Sequence, residues 1–66
     1  MIVKVDRKSD TLYLRLDESR IVESEEVRPG VILDYDDEDR VVGVELLDIS
    51  SRADPEELTS IQFQSA

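Results

Sequence analysis

The most informative segment of this chain is Val27-Arg-Pro-Gly-Val-Ile-Leu-Asp-Tyr-Asp-Asp-Glu-Asp-Arg-Val-Val-Gly-Val-Glu-Leu-Leu-Asp-Ile-Ser50. It holds two apolar runs rich in β-branched residues, Val31 to Tyr35 and Val41 to Leu47, on either side of the acidic residues 36–39. Branched side chains fit a pleated surface, and aspartate tolerates the backbone of a turn. The segment therefore predicts a β-hairpin. Gly43, inside the second run, predicts a bulge or the close approach of another backbone.

Upstream of this hairpin, two further segments alternate between apolar and polar residues. They are Met1 to Asp6 and Thr11 to Leu16, joined by a short polar loop. A period of two is typical of half-buried strands, so these segments predict a second hairpin. Ile21 to Val27 is ambiguous, but its length and lack of a helical period favour an irregular or edge strand. Pro29 and Gly30 then predict a turn.

The end of the chain carries helix signals. Asp54 is a candidate cap, Pro55 suits the first helical position, and glutamates in the first turn complement the helix dipole. These signals predict a helix of about two turns, whose Leu58 and Ile61 would lie on the sheet. The segment Ile61-Gln62-Phe63-Gln64 either ends this helix or forms a last strand.

Together these patterns predict one α+β domain over residues 1–66, with a small antiparallel sheet of four to five strands in meander order and one short C-terminal α-helix. The face that alternates towards the interior defines a predicted core. Its members are Val3, Val5, Leu12, Leu14, Leu16, Leu33, Tyr35, Val42, Val44, Leu46, Leu58 and Ile61.

Composition narrows the function classes. The 66 residues include 17 acidic and eight basic side chains, which gives a net charge of −9. Such a surface repels phosphate backbones and anionic lipids, so direct nucleic-acid or membrane binding is not expected. The absence of cysteine fits a reducing compartment, and no apolar run is long enough to span a bilayer. We expect a cytoplasmic protein, and a chain this small is a candidate for homodimerisation.

Several segments resemble, in order, a bacterial family catalogued as domain of unknown function 2283. They are Asp10 to Leu16, Glu23 to Val27, Pro29 to Asp36 and Val41 to Asp48. The resemblance implies a compact α+β unit with an antiparallel sheet and one short helix. Members look like the small partner of a toxin-like protein, which implies an antitoxin-like or chaperone-like role. The resemblance supplies no catalytic residues.

The residues of the chain offer little for catalysis or cofactors. The chain has no histidine or cysteine, so the common general base and thiol nucleophile are absent. Asp34 and Glu45, expected across from each other on the hairpin, are a carboxylate pair whose side chains should be solvated. From Asp34, acids occur at EF-hand positions 1, 3, 5 and 12, but position 6 is Asp39 where the loop needs glycine. We predict no enzyme activity, no cofactor and no metal ligands.

The outer face of the hairpin is the candidate interaction surface, because it carries apolar side chains beside polar ones. Tyr13 belongs to it either as an interface residue or as a ring lying across neighbouring strands. The predicted interaction residues are Tyr13, Arg15, Ile32, Asp34, Val41, Glu45 and Leu47. The sequence thus predicts a self-associating protein-interaction module that neutralises a basic protein partner. The alternative is a cation-binding regulatory domain that uses the acidic hairpin turn.

Overall fold

The computed structural model describes residues 1–62, 64 and 65. Within them the chain forms five strands, one short 3-10 turn and one helix. In chain order these are β1 (Ile2–Asp6), β2 (Thr11–Arg15), β3 (Glu23–Arg28), β4 (Val31–Tyr35), β5 (Val41–Leu47), the 3-10 turn (Ile49–Ser51) and α1 (Pro55–Leu58). The α+β fold predicted from the sequence is confirmed.

The strands form a single antiparallel sheet in the order β1-β2-β5-β4-β3. The predicted meander holds only in part: β3, β4 and β5 form a meander and β1 and β2 form a hairpin, but β2 pairs with β5 instead of β3. Residues 16–22 therefore carry the chain from the middle of the sheet to its edge. Alternation assigns side chains to faces without stating which strands are neighbours, so the sequence could not give this order.

The ambiguous segment before Pro29 is an edge strand, as predicted. β3 pairs only with β4, and the register shifts between Glu26 and Arg28. The turn that follows uses the left-handed backbone of Gly30, whose φ is 76°. Arg52 donates from Nη2 to the Pro29 carbonyl at 2.8 Å and from Nε to the Leu47 carbonyl at 3.1 Å. These hydrogen bonds hold the segment after β5 against the β3–β4 turn.

The register gives the two sides of the sheet different chemistry. On one side, two rows of aliphatic side chains run across β1, β2, β5 and β4. We call this side the apolar face: Val3, Leu14, Val44 and Leu33 in one row, and Val5, Leu12, Leu46 and Val31 in the next. The other side is the polar face: Lys4, Tyr13, Arg15, Ser24, Glu26, Ile32, Asp34 and Glu45.

Seven of the twelve predicted core residues lie on the apolar face, but they are not buried as a core. Among the described apolar residues only Val42 and Ile49 are buried, each 3% exposed. Leu16 and Ile61, both predicted core residues, are 40% and 50% exposed. The other predicted core residues are half-buried. Alternation identifies a face that avoids polar residues, but it does not show that a second layer covers that face.

The C-terminal helix is shorter than predicted. α1 is a single turn, and its N-cap residue Asp54 has an extended backbone but makes no side-chain capping hydrogen bond. Leu58 lines a shallow apolar depression with Val5 and Ile49, so α1 covers only one end of the apolar face. Ile61 and Gln62 are not in a strand, and Phe63 lies outside the described residues.

Among the described residues, none of the helices has the length and apolar character required to cross a membrane.

Candidate functional site

Most of the predicted interaction residues meet on the polar face. Tyr13 pairs with Glu45, and Glu45 pairs with Ile32, so these three form one row across β2, β5 and β4. The next row contains Arg15 and Asp34, on either side of Gly43. Five of the seven predicted residues are therefore neighbours.

The remaining two predicted residues lie outside those two rows. Leu47 pairs with Thr11 in the adjacent row of the same face, on the other side of the Glu45 row. Val41 pairs with Tyr35 beyond a bulge and is 38% exposed. The bulge is the one predicted at Gly43, displaced by one residue, and it moves Val41 out of the polar rows.

Asp34 is the centre of a hydrogen-bond network on the polar face. It is only 8% exposed, so the predicted solvated position of this side chain is wrong. Its Oδ1 accepts a 2.6 Å hydrogen bond from the Ser24 hydroxyl, and its Oδ2 accepts a longer one, 3.4 Å, from the Tyr13 hydroxyl. A buried carboxylate requires such partners, because leaving a buried acceptor unpaired costs about 1–3 kcal/mol. The network joins β2, β4 and β3.

Gly43 makes room for this network. A Cβ at this position would lie 2.7 Å from Asp34 Oδ2 and 3.0 Å from the Tyr13 hydroxyl oxygen. The first separation is too short for a carbon and the second is tighter than most carbon contacts, so a larger residue would displace the carboxylate and press against the phenol. The atoms that approach this glycine belong to side chains, so the predicted approach of another backbone is wrong.

Arg15 extends the network to the β2–β3 connection. Its Nη1 donates to the Tyr13 hydroxyl at 3.3 Å, and its Nε donates to the Asp17 carbonyl at 2.6 Å. A further hydrogen bond runs from its Nη2 to the Ser19 carbonyl. The guanidinium thus holds the connecting loop beside the sheet, and a planar group with five donors is suited to that task.

The carboxylate pair predicted from the sequence is not arranged as expected. Asp34 lies opposite Gly43, and Glu45 lies opposite Ile32, so the two acids are in different rows. Asp34 is engaged by two hydroxyl groups, and neither Ser24 nor Tyr13 has a histidine beside it, because the chain has none. The cluster orients the strands and presents a polar surface.

The acidic hairpin turn is closed by its own carboxylate. Asp36 is 2% exposed and accepts hydrogen bonds from the Glu38 amide, the Arg40 amide and Arg40 Nε, each at 2.9 Å. The Arg40 amide does most to hold the pKa of Asp36 below its ordinary value, helped by the Glu38 amide and the Arg40 side chain. A cation at Asp36 would have to compete with these donors. In the described part of the chain, no group of three or more acidic side chains is arranged to hold a metal ion.

A comparison with protein-family models found a match to this chain. The family described as "Protein of unknown function (DUF2283)" matches residues 2–50. The chain belongs to this family. The matched segment contains all five strands and most of the 3-10 turn, so the DUF2283 unit in this chain is the sheet, and α1 lies beyond it. A search of curated proteins and a search of solved structures each found no match.

Sequence reasoning missed two contributors to this structure. Ser24 makes the shorter of the two hydrogen bonds to Asp34, yet it was not among the predicted interaction residues. Ile49, one of the two apolar residues that are buried in the described part of the chain, was not in the predicted core. A usable signal existed for the first: a single aspartate between apolar residues of a strand needs a polar partner on a neighbouring strand.

Proposed function

We propose that this protein is a non-catalytic protein-interaction module that binds a basic partner along the outer edge of β3. The observation that carries the proposal is the combination of an edge strand and its charge. β3 is the last strand of the sheet, and Glu23, Glu25 and Glu26 are all exposed on it. An extended segment rich in lysine or arginine would find backbone partners and opposite charge on the same edge.

The two edges of the sheet differ in charge. β1, at the other end, carries Lys4 and Asp6, followed by Arg7 and Lys8 in the turn. A basic segment is therefore favoured at β3 and disfavoured at β1. The Ser24–Asp34 hydrogen bond fixes the β3 backbone to β4, so the acidic edge is presented in a defined position.

A more specific proposal is an antitoxin-like role, in which the acidic edge binds and blocks the functional surface of a basic protein. The negative net charge supports it, since opposite charge speeds association and discriminates against acidic competitors. The lack of histidine and cysteine supports a role without catalysis. The cytoplasmic location stays part of this proposal and rests on the absence of cysteine.

The alternative, a cation-binding regulatory function at the hairpin turn, has less support. Asp36 is already the acceptor for three N–H donors, two of them from Arg40. Calcium that raised the melting temperature of the parent, but not of a variant carrying Asp36→Asn and Glu38→Gln, would favour it.

The test of the proposed function is the binding of a short extended peptide of alternating lysine and valine, measured by calorimetry and by amide shifts. The edge variant changes Glu23, Glu25 and Glu26 to glutamine. The control variant changes Glu18, Glu56 and Glu57, which are also exposed, to glutamine. It changes the net charge by the same amount as the edge variant. We expect the edge variant to lose about tenfold in affinity, which is about 1.4 kcal/mol, and the control to lose much less.

Amide shifts should be concentrated on β3, and a peptide of alternating glutamate and valine should not bind. An equal loss of affinity in both variants would contradict the proposal, because it would show that the peptide responds to net charge alone.

A further inference from the structure

The apolar face is large and almost uncharged. Its two rows hold eight aliphatic side chains across four strands, and all eight are half-buried. Two charged residues flank it at the β3 edge: Glu25 pairs with Leu33, and Arg28 pairs with Val31. Contiguous apolar surface of this kind on a small protein is typical of an interaction site.

The described chain supplies little to cover that face. α1 is one turn long, and Leu58 reaches only the end of the face near Val5. Stable domains are normally built from at least two packed layers around a core. The sheet with one helical turn is close to a single layer, and the molecule measures 37 × 30 × 20 Å.

The exposed area is consistent with a missing layer. The chain exposes 5239 Å², whereas a compact monomer of its mass should expose roughly 4300 Å². Its radius of gyration is 12.7 Å, compared with about 11 Å for a compact domain of this length. The exposed residues after α1 contribute part of the excess. The excess exposed area is similar to the roughly 800 Å² that each partner buries in a standard interface.

We propose that the apolar face is covered by the apolar face of a second copy of this chain, which makes a two-layer sandwich of two sheets. A second copy fits because the face is aliphatic throughout, and an isologous pairing would bring like rows together without burying a charge. This is not the surface predicted from the sequence, where the outer face with Ile32 and Leu47 was the candidate interaction surface, for a partner or for a second chain. That side carries the Asp34 network and remains free for other contacts.

Charge separates this inference from the proposed function, on which it does not depend. Each copy carries a net charge of −9, so two copies repel one another at long range. Salt screens that repulsion without weakening apolar contact, so self-association should hold or tighten as salt is added. Binding of a basic peptide at β3 should weaken with salt, so the failure of one proposal is distinguishable from the failure of the other.

The first test is chemical cross-linking at a unique cysteine, which the chain permits because it has none of its own. Val44 is in the central strand and in one of the two rows of the apolar face, so it should lie near its own copy across a two-fold axis. Packed sheets are about 10 Å apart, so a bis-maleimide of about that length is suitable. The control is Ile32→Cys, also half-buried, but on the polar face.

We expect Val44→Cys to yield a covalent dimer as the major product. Ile32→Cys should yield no more covalent dimer than the same variant yields when it is denatured in urea. Equal cross-linking at both positions, or cross-linking only at Ile32→Cys, would overturn the proposal.

The second test compares lysine at two adjacent positions of β4. Leu33→Lys places a charge on the apolar face, and Ile32→Lys places the same charge on the polar face. Sedimentation velocity should show at least a tenfold weaker dimer for Leu33→Lys and an unchanged dimer for Ile32→Lys. If Leu33→Lys does not fold, the melting temperature of the parent decides, because a dimer melts at higher temperature as concentration rises. A parent whose melting temperature is independent of concentration would overturn the proposal.

Discussion

Asp34 is the residue on which the positions of three strands depend. It lies in β4 and accepts hydrogen bonds from the Ser24 hydroxyl in β3 and the Tyr13 hydroxyl in β2. Its side chain packs against Gly43 in β5. A carboxylate held in this way stabilises only the arrangement in which all of its partners are present. Its burial explains why a charged residue occurs in the middle of an apolar strand.

Removing the Asp34 carboxylate should therefore destabilise the fold. In Asp34→Ala the Ser24 and Tyr13 hydroxyls lose their acceptor, and we expect a loss of about 1–3 kcal/mol in the free energy of unfolding. The measurement is urea denaturation followed by circular dichroism. The control is Glu45→Ala, an acid of the neighbouring row on the same face, which should cost about 0.5 kcal/mol or less. Equal losses for the two variants would contradict the role given to Asp34.

Gly43→Ala tests the packing of the same site. The added carbon would lie within 2.7 Å of Asp34 Oδ2, so we expect a loss of about 1–3 kcal/mol in the free energy of unfolding. In an Asp34→Ala background the obstructing carboxylate is absent, so the same substitution should cost less. Additive effects in the double-mutant cycle would show that Gly43 is required for another reason.

Single residues of this site were partly predictable. Tyr13, Arg15 and Asp34 were placed on one face because alternation gives the face directly. The burial of Asp34 was missed, because it depends on the pairing of β3 with β4, which brings Ser24 beside it from ten residues away in the sequence.

Three of the connections between strands have, within them or directly before them, an aspartate whose side chain accepts hydrogen bonds from residues a few positions later. Asp6 accepts from the Lys8 and Ser9 amides, Asp17 from the Ser19 amide, and Asp36 from the Glu38 and Arg40 amides. Each set of donors holds the pKa of its aspartate below the ordinary value. The largest contributions come from the Ser9 amide for Asp6, the Ser19 hydroxyl for Asp17 and the Arg40 amide for Asp36.

These lowered pKa values predict the acid limit of the fold. A carboxylate with a lower pKa in the folded state stabilises that state fully above its unfolded pKa, near 3.8, and loses this effect as pH falls through the folded value. We expect the melting temperature to fall steeply below about pH 4. Asp36→Asn should reduce the steepness, whereas Asp37→Asn, an exposed change in the same turn, should not. The same steepness in parent and Asp36→Asn would contradict this account.

The elements themselves were largely predictable, and their order and lengths were not. Four of the strands, β1, β2, β4 and β5, follow from their apolar patterns and from the turn residues between them, whereas β3 was predicted only as an irregular or edge strand. The helix was predicted at two turns because Asp54, Pro55 and the glutamates signal a beginning, but nothing fixes an end. The pairing of β2 with β5 depends on contacts between distant segments, which local patterns do not encode.

The whole molecule is a sheet with one polar face, one apolar face and an acidic edge. The sequence predicted which residues share the apolar side, but it also predicted that they are a buried core. The difference matters for function, because a half-open apolar face and an exposed acidic edge are two separate surfaces. The first suits a second copy of the chain, and the second suits a basic partner.

The most direct test of the two-sheet assembly is the solution mass, measured by light scattering behind size exclusion at low and at high salt. The account predicts twice the chain mass of 7.6 kDa at both salt concentrations, with no dissociation as salt is added. A mass of 7.6 kDa at tens of micromolar, or a dimer that dissociates as salt is added, would contradict an interface formed by the apolar face.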